Sequence, residues 1–206
     1  MNKAILIVFL LLISLYTFEK IPAHSRESAE NKSAAIEYQD LTIKQAIKLA
    51  YPSALKWDKN ALLLRAVDID LDEKSNEVIG RNGKRKHWNI AFGVPDTNKF
   101  FLVTIHNGKI DAINDLTNQG DTPYFKKEFT QIDDIHYDSP ELLKKALKTG
   151  RLYPGKDWAK GYNFILLKDI EKNISFISVV GWNRGQTQMR EVSFNVETGE
   201  YISLQD

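Results

Sequence analysis

The sequence predicts an α+β fold built from two tandem copies, each a helix packed on a three- or four-stranded antiparallel sheet. Three observations lead there: a set of residues that recurs about a hundred positions later, a capped amphipathic helix pattern at the head of each copy, and alternating strand patterns ended by glycine turns.

The recurrence is ordered. Tyr51-Pro52, Trp57, Lys59, an aliphatic run and Asp68-Ile69 return as Tyr153-Pro154, Trp158, Lys160, an aliphatic run and Asp169-Ile170, offset by 102 at Tyr-Pro and 101 from Trp onward. Ile90-Ala91-Phe92-Gly93 then answers Ser178-Val179-Val180-Gly181, and Ile105-His106-Asn107-Gly108-Lys109 answers Val196-Glu197-Thr198-Gly199-Glu200, at offsets of 88 and 91. The drop from 101 to 88 assigns 13 extra residues to the first copy, filled by 74–86. The domain reading is residues 40–116 for the first copy, 117–137 for a connector and 138–206 for the second.

Each copy opens on a helix. Thr42 is an N-cap with Gln45 three residues on, a capping box, and Ile43, Ala46, Ile47 and Ala50 share one face. In the second copy Ser139 is read as the cap and Pro140 as the first helical residue, Leu142, Leu143, Ala146 and Leu147 as the stripe, and Gly150 as the stop. Strands follow, with Trp88, Ile90, Phe92 and Val94 alternating against His87, Asn89 and Ala91, and Val192, Phe194 and Val196 against Glu191, Ser193 and Asn195. Asn107-Gly108 and Thr198-Gly199 mark a closing hairpin in each copy.

The helix Leu41-Thr42-Ile43-Lys44-Gln45-Ala46-Ile47-Lys48-Leu49-Ala50 and the terminal Phe194-Asn195-Val196-Glu197-Thr198-Gly199-Glu200-Tyr201-Ile202 resemble the PepSY pattern, and the tandem arrangement is similar to the PepSY-like fold of the β-lactamase-inhibitory proteins. The resemblance implies a noncatalytic extracytoplasmic module that contacts or inhibits other proteins, often peptidases. The first copy departs from the pattern in carrying His106-Asn107-Gly108 where the second has Thr198-Gly199, and in its 13-residue extension.

Composition narrows the function. Of 206 residues 43% are hydrophobic and 27% charged, as in a globular chain, and 28 Lys and Arg against 27 Asp and Glu leave a net charge of +1, with no pull toward nucleic acid. Zero cysteines exclude disulfides, thiolate metal sites, Cys nucleophiles and the acylated cysteine of a bacterial lipoprotein. At the N-terminus Lys3 precedes an uncharged run from Ala4 to Phe18, about 22 Å long as a helix and short of a hydrocarbon core of roughly 30 Å. Residues 1–25 are read as a signal peptide cleaved after Ala23-His24-Ser25, with a short uncleaved anchor as the alternative, the only membrane attachment the sequence offers. Residues 26–39 read as a polar spacer, and the remainder is placed outside the cytoplasmic membrane.

No catalytic, cofactor-binding or metal residue is assigned, because no Gly-x-Ser-x-Gly, Walker loop, dinucleotide fingerprint or His-Glu-x-x-His is present. Asp68, Asp70, Asp72 and Asn76 match a calcium-loop template at four places, but Glu73 and Ile79 stand where it needs Gly and a bidentate Glu, so a strand end is preferred. Asp133, Asp134, His136 and Asp138 read as connector rather than metal ligands, and His87 and His106 as separate surface or turn residues. Arg81, Lys84, Arg85, Lys86 and His87 around Asn82-Gly83 read as a solvated hairpin, with a polymer-binding finger as the alternative. Trp57 and Trp158 are read as core. Trp182 opens the polar run Trp182-Asn183-Arg184-Gly185-Gln186-Thr187-Gln188 and divides equally between an interface anchor and a residue packed on its own sheet.

The binding residues expected are Trp182, Arg184 and Asp96, on loops that occupy equivalent places in the two copies and approach one partner together. The function expected is an exported noncatalytic protein-binding module, an inhibitor or regulator of an extracellular peptidase or other enzyme. The alternatives are a cell-envelope polymer-binding or structural protein and a hydrolase using scattered carboxylates.

Overall fold

In a computed structural model the described residues are 39–71, 77–119, 123–149 and 151–205. The expected signal peptide 1–25, all of the spacer 26–39 but its last residue, Asp72 and Asn76 of the calcium template, Thr122 of the connector and the helix stop Gly150 lie outside them.

Helix α1, Ile43–Trp57, starts where its capping box directs: Gln45 N–H donates to Thr42 Oγ1 at 3.2 Å and Thr42 N–H to Gln45 Oε1 at 2.9 Å. Ile43, Ala46, Ile47 and Ala50 are buried, as a 3.6-residue period requires. The helix runs on through Pro52, which removes one backbone donor, because Ala54 beyond it is also buried and holds the last turn on the core. Tyr51-Pro52 is therefore helical, whereas Tyr153-Pro154 is irregular chain beyond the second helix, so this part of the internal match does not mark equivalent structure.

Helix α2, Ser139–Lys148, corrects the expected cap by one residue. Asp138 is the N-cap, exchanging a capping box with Glu141, while the Ser139 hydroxyl turns to tertiary work. It accepts from Ile43 N–H at 3.1 Å and donates to the Gly83 carbonyl at 2.6 Å. Asp138 also accepts from Lys44 N–H at 3.2 Å, so orphan donors at the start of α1 are met by the cap region of α2. Leu142, Leu143 and Ala146 are buried, but Leu147 is 37% exposed and leaves the expected stripe.

The strands are β1 Leu62–Asp68, β2 Trp88–Gly93, β3 Phe100–His106, β4 Lys109–Asp115, β5 Asn163–Asp169, β6 Ile174–Trp182, β7 Met189–Asn195 and β8 Tyr201–Gln205. All pair antiparallel in the order β4-β3-β2-β1-β5-β6-β7-β8. This overturns the expectation of two tandem helix-on-sheet copies: the chain forms one eight-stranded sheet, and one apolar cluster takes in residues of both helices and of strands from both halves. The physical reason lies at β1 and β5. Each would be an open edge of a four-stranded sheet, and pairing them removes two edges at once.

The seam is short. Only Ala66↔Leu166 and Val67↔Ile165 pair across it. Next to it, toward the start of β1, the expected connector supplies Thr130, whose N–H donates to the Leu63 carbonyl at 2.8 Å and whose hydroxyl meets Ser175 Oγ at 2.9 Å. Phe129 and Thr130 are buried, so part of the connector belongs to the fold.

At the other end of the seam sits Arg85, 1% exposed, where a solvated hairpin was expected. Its Nη1 lies 3.0 Å from Asp68 Oδ2, 2.7 Å from Asn163 Oδ1 and 3.0 Å from the Tyr162 carbonyl, and its Nη2 lies 3.6 Å from Asp70 Oδ1. Asp68 Oδ1 accepts from Phe164 N–H, tying the end of β1 to β5. Asp68 ends β1 as the strand-end reading expects, and together with Asp70 just beyond it serves as an ion-pair partner of a buried cation. The turn around Asn82-Gly83 is no hairpin between paired strands; Gly83, at φ 78°, presses on helix α2, where an added Cβ would stand 2.3 Å from Pro140 Cα. The described parts of the β1–β2 connection, 69–71 and 77–87, clasp the two halves together, whereas β5 passes to β6 through 170–173 alone.

Both closing hairpins form as the turn signals predict. Asn107 and Gly108, at φ 51° and 71°, join β3 to β4, and Gly199, at φ 68°, lies in the turn between β7 and β8. No helix among the described residues is long and apolar enough to cross a membrane. The sheet face opposite the core cluster carries half-buried Val67, Ile165, Leu167 and Phe176 beside a polar network in which Ser178 bonds both Glu191 and Ser193.

Candidate functional site

The register decides which sequence-predicted residues meet. Because β1 and β5 pair antiparallel, corresponding strands in the two halves run in opposite directions, and corresponding loops leave opposite ends of the sheet. Gly93 pairs with Leu62 at the start of β1, whereas Val180, two residues before Trp182, pairs with Asn163 at the opposite end of the seam. The loops 94–99 and 183–188 therefore do not approach one partner together. Asp96, exposed at φ 60°, stands at the end away from Trp182 and Arg184, beside a Lys99 held at 2.7 Å by Asp58.

Trp158 joins Trp182 instead. The reading of Trp158 as core is corrected: it is 47% exposed, on the loop 155–161. Its ring stands edge-on to Trp182, 5.8 Å between centroids at 76°, and its carbonyl accepts from Trp182 Nε1–H at 3.1 Å. Trp182 is half-buried and ends β6, its backbone exchanging two bonds with Tyr153, at 2.8 and 2.9 Å, and its indole lying over Gly155, where an added Cβ would stand 2.7 Å from Nε1. Of its two expected readings, packing on its own half is what the contacts of Trp182 show, and the exposed indole of Trp158 lies beside it. Trp57 ends α1, half-buried, stacked on Phe101 at 4.8 Å and donating Nε1–H to Asp115 Oδ2 at 2.9 Å. The Thr117 hydroxyl first, then that bond, then Thr117 N–H hold the Asp115 carboxyl below the usual carboxylate range.

The two Trp-bearing loops are held by their own polar groups. Gly155 and Gly161 exchange backbone bonds of 2.8 and 2.9 Å, closing the loop that presents Lys156, Asp157 and Trp158. In the second loop Asn183 N–H donates to the Gln188 carbonyl at 2.9 Å, and Thr187 N–H to Asn183 Oδ1 at 3.0 Å. Gln186 Nε2 donates to the Pro154 carbonyl at 3.1 Å, fastening one loop to the chain that leads into the other. Exposed Arg184 projects from this braced turn, and Arg190 Nη1 donates to the Arg151 carbonyl at 2.9 Å beside it. A surface ordered before binding loses little conformational freedom on association.

The other groups weighed in the sequence lie at structural positions. Asp138 caps α2, Asp133 and Asp134 lie in a short 3-10 turn, and His136 Nδ1 faces the Glu197 carbonyl at 3.1 Å. No group of three or more metal-ligating side chains occurs among the described residues. His87 and His106 are not separate: their rings meet edge-on at 5.1 Å, and His106 Nδ1 lies 3.2 Å from Asp111 Oδ2. Arg65, set over the Phe100 ring at 5.7 Å, has its pKa lowered by burial.

No family model and no curated protein matches the chain. Among solved structures it is similar to a "putative lipoprotein" of Clostridium difficile 630, with a TM-score of 0.50 and 12% identity over 76% of this chain and 89% of that one. At that identity the likeness is one of fold.

Proposed function

We propose that the chain is an extracytoplasmic, noncatalytic module that binds another protein through the end of the sheet carrying Trp158, Trp182 and Arg184. The observation that carries this reading is Trp158: a large indole 47% exposed on a loop closed by its own backbone bonds. An exposed tryptophan needs no explanation by itself, but one braced against a second indole and flanked by an arginine has the make-up of an interface centre. The short apolar N-terminal run and the lipoprotein name of the structural neighbour support a place outside the cytoplasmic membrane; this chain has no cysteine to carry a lipid. The PepSY resemblance is part of the same proposal, supported by the capping box at Thr42 and the Thr198-Gly199 hairpin. An extracellular peptidase or other enzyme is the finer proposal for the partner.

Trp158→Ala is the cleanest variant, because Trp182→Ala also removes packing over Gly155 and lowers stability. The expected result is a loss of at least about 2 kcal/mol of binding, roughly thirtyfold, with thermal unfolding nearly unchanged. Quantitative retention of extracytoplasmic proteins on immobilised wild type, Trp158→Ala and Asp96→Ala checks it. A protein held by the first and third and lost from the second supports the proposal. Equal retention by all three, with sedimentation of the chain on purified cell wall, favours the polymer-binding alternative.

A further inference from the structure

The two segments that build the Trp158 end, 151–159 and 182–190, contain Arg151, Lys156, Arg184 and Arg190 and one acid, Asp157, in a chain whose whole net charge is +1. The structure places the two segments side by side. Arg190 bonds the Arg151 carbonyl, Gly181 beside Trp182 pairs with Arg190, and Lys156 and Trp158 share the loop that packs on Trp182. Arg151, Lys156 and Arg184 are exposed. The corresponding loop of the first half shows the contrast, since it offers Asp96 and a lysine already paired with Asp58. Asp68 and Asp70 lie at the same end of the sheet but are taken by Arg85 and Lys160, so the cations of these two segments face a single exposed acid of their own, Asp157.

We infer that the element recognised at this end is an acidic peptide segment of the partner protein, its carboxylates taken by Arg184, Lys156 and Arg151 and an apolar side chain between them lying against Trp158. This rests on the proposed binding surface and names the partner's chemistry. A carboxylate suits the planar fork of a guanidinium, which offers paired donors, and an indole face takes an aliphatic or aromatic side chain in the same footprint. Opposite charge on the partner also speeds encounter and makes binding fall with salt. A bare anionic polymer uses the cations without the indoles, which is why a peptide is favoured.

The probes are a fluorescein-labelled 16-residue peptide alternating Glu with Leu and Ala, its isomer with every Glu replaced by Gln, and soluble poly(glycerol phosphate), with binding read by anisotropy. The expected result is saturable binding of the Glu peptide that weakens as salt rises, at least tenfold weaker binding of the Gln peptide, and at least tenfold loss on either Lys156→Glu/Arg184→Glu or Trp158→Ala. Lys126→Glu/Lys127→Glu makes the same charge change on exposed residues of the connector and leaves binding unchanged. Equal binding of the Gln peptide overturns the inference, as does loss of binding in the connector variant. Competition by the polymer that is indifferent to Trp158→Ala overturns it in favour of polyanion binding. If neither peptide binds while the retention experiment still shows a protein lost from Trp158→Ala, the inference fails and the binding surface stands; if no protein depends on Trp158, the surface itself fails.

Discussion

Arg85→Met is expected to lower the unfolding free energy by about 3–5 kcal/mol, on the order of 10 °C in melting temperature for a chain of this size. Methionine keeps much of the stem's volume but removes the guanidinium that lies 3.0 Å from Asp68, whose side chain is fully buried. Asp70 retains Lys160, whose N–H donates to Oδ2 at 3.1 Å and whose Nζ lies 3.8 Å from Oδ1, so the penalty falls mainly on Asp68. A second substitution, Asp68→Asn, is expected to restore part of the loss, because the neutral amide still accepts from Phe164 N–H and no buried charge is left over. Denaturant unfolding of wild type, the two single variants and the double variant measures the coupling. Additive effects with a loss under about 1 kcal/mol for Arg85→Met mean that the ion pair does not close the seam.

Gly161→Ala is expected to cost at least about 3 kcal/mol, through two separable causes. At φ 70° any residue with a Cβ meets a backbone penalty of about 1–2 kcal/mol. That Cβ would also lie 1.9 Å from the Ile79 carbonyl oxygen and 2.6 Å from its carbon, backbone atoms that cannot swing aside, and would displace the Tyr162 N–H bond to that oxygen. Gly185→Ala is the matched control, with its nearest atoms at 3.8 Å and an expected change within about 0.5 kcal/mol. Thermal melts of the two variants side by side separate a seam that is tightly packed from one that yields.

These two sites show why the fold was only partly legible. The capping box at Thr42 and the turn at Asn107-Gly108 depend on residues within three or four positions of one another, and both form as read. The joining of the halves does not depend on local residues. Two residue pairs make the seam, and Ala66, Val67, Ile165 and Leu166 look like any aliphatic strand, so nothing in the pattern tells which edges meet. Arg85 lies in a run of basic residues that reads as solvated, and its acceptors come from 68–70 and 160–163, far along the chain. Ser139 reads as the cap because serine caps helices well; the adjacent Asp138 does so equally well and leaves the hydroxyl for Ile43 and Gly83.

The candidate site divides the same way. Trp182 and Arg184 stand out in a polar, glycine-containing run, and Asp96 follows from an equivalence that antiparallel pairing of the halves sends to the other end of the sheet. The alignment of Trp158 with Trp57 hides its exposure. Its own surroundings, Gly155-Lys156-Asp157-Trp158-Ala159-Lys160-Gly161, are as polar and glycine-bounded as those of Trp182, and that signal was sufficient to place it on the surface.

The central claim, that the Trp158 end is where a partner protein sits, is tested most directly by placing a photo-activated cross-linking residue at position 184 and, separately, at position 96 of the full chain in its native host. The account predicts a protein adduct at position 184 that disappears when Trp158→Ala is added, and none at position 96. An adduct at position 96 alone, or one at position 184 that persists without the Trp158 indole, contradicts it.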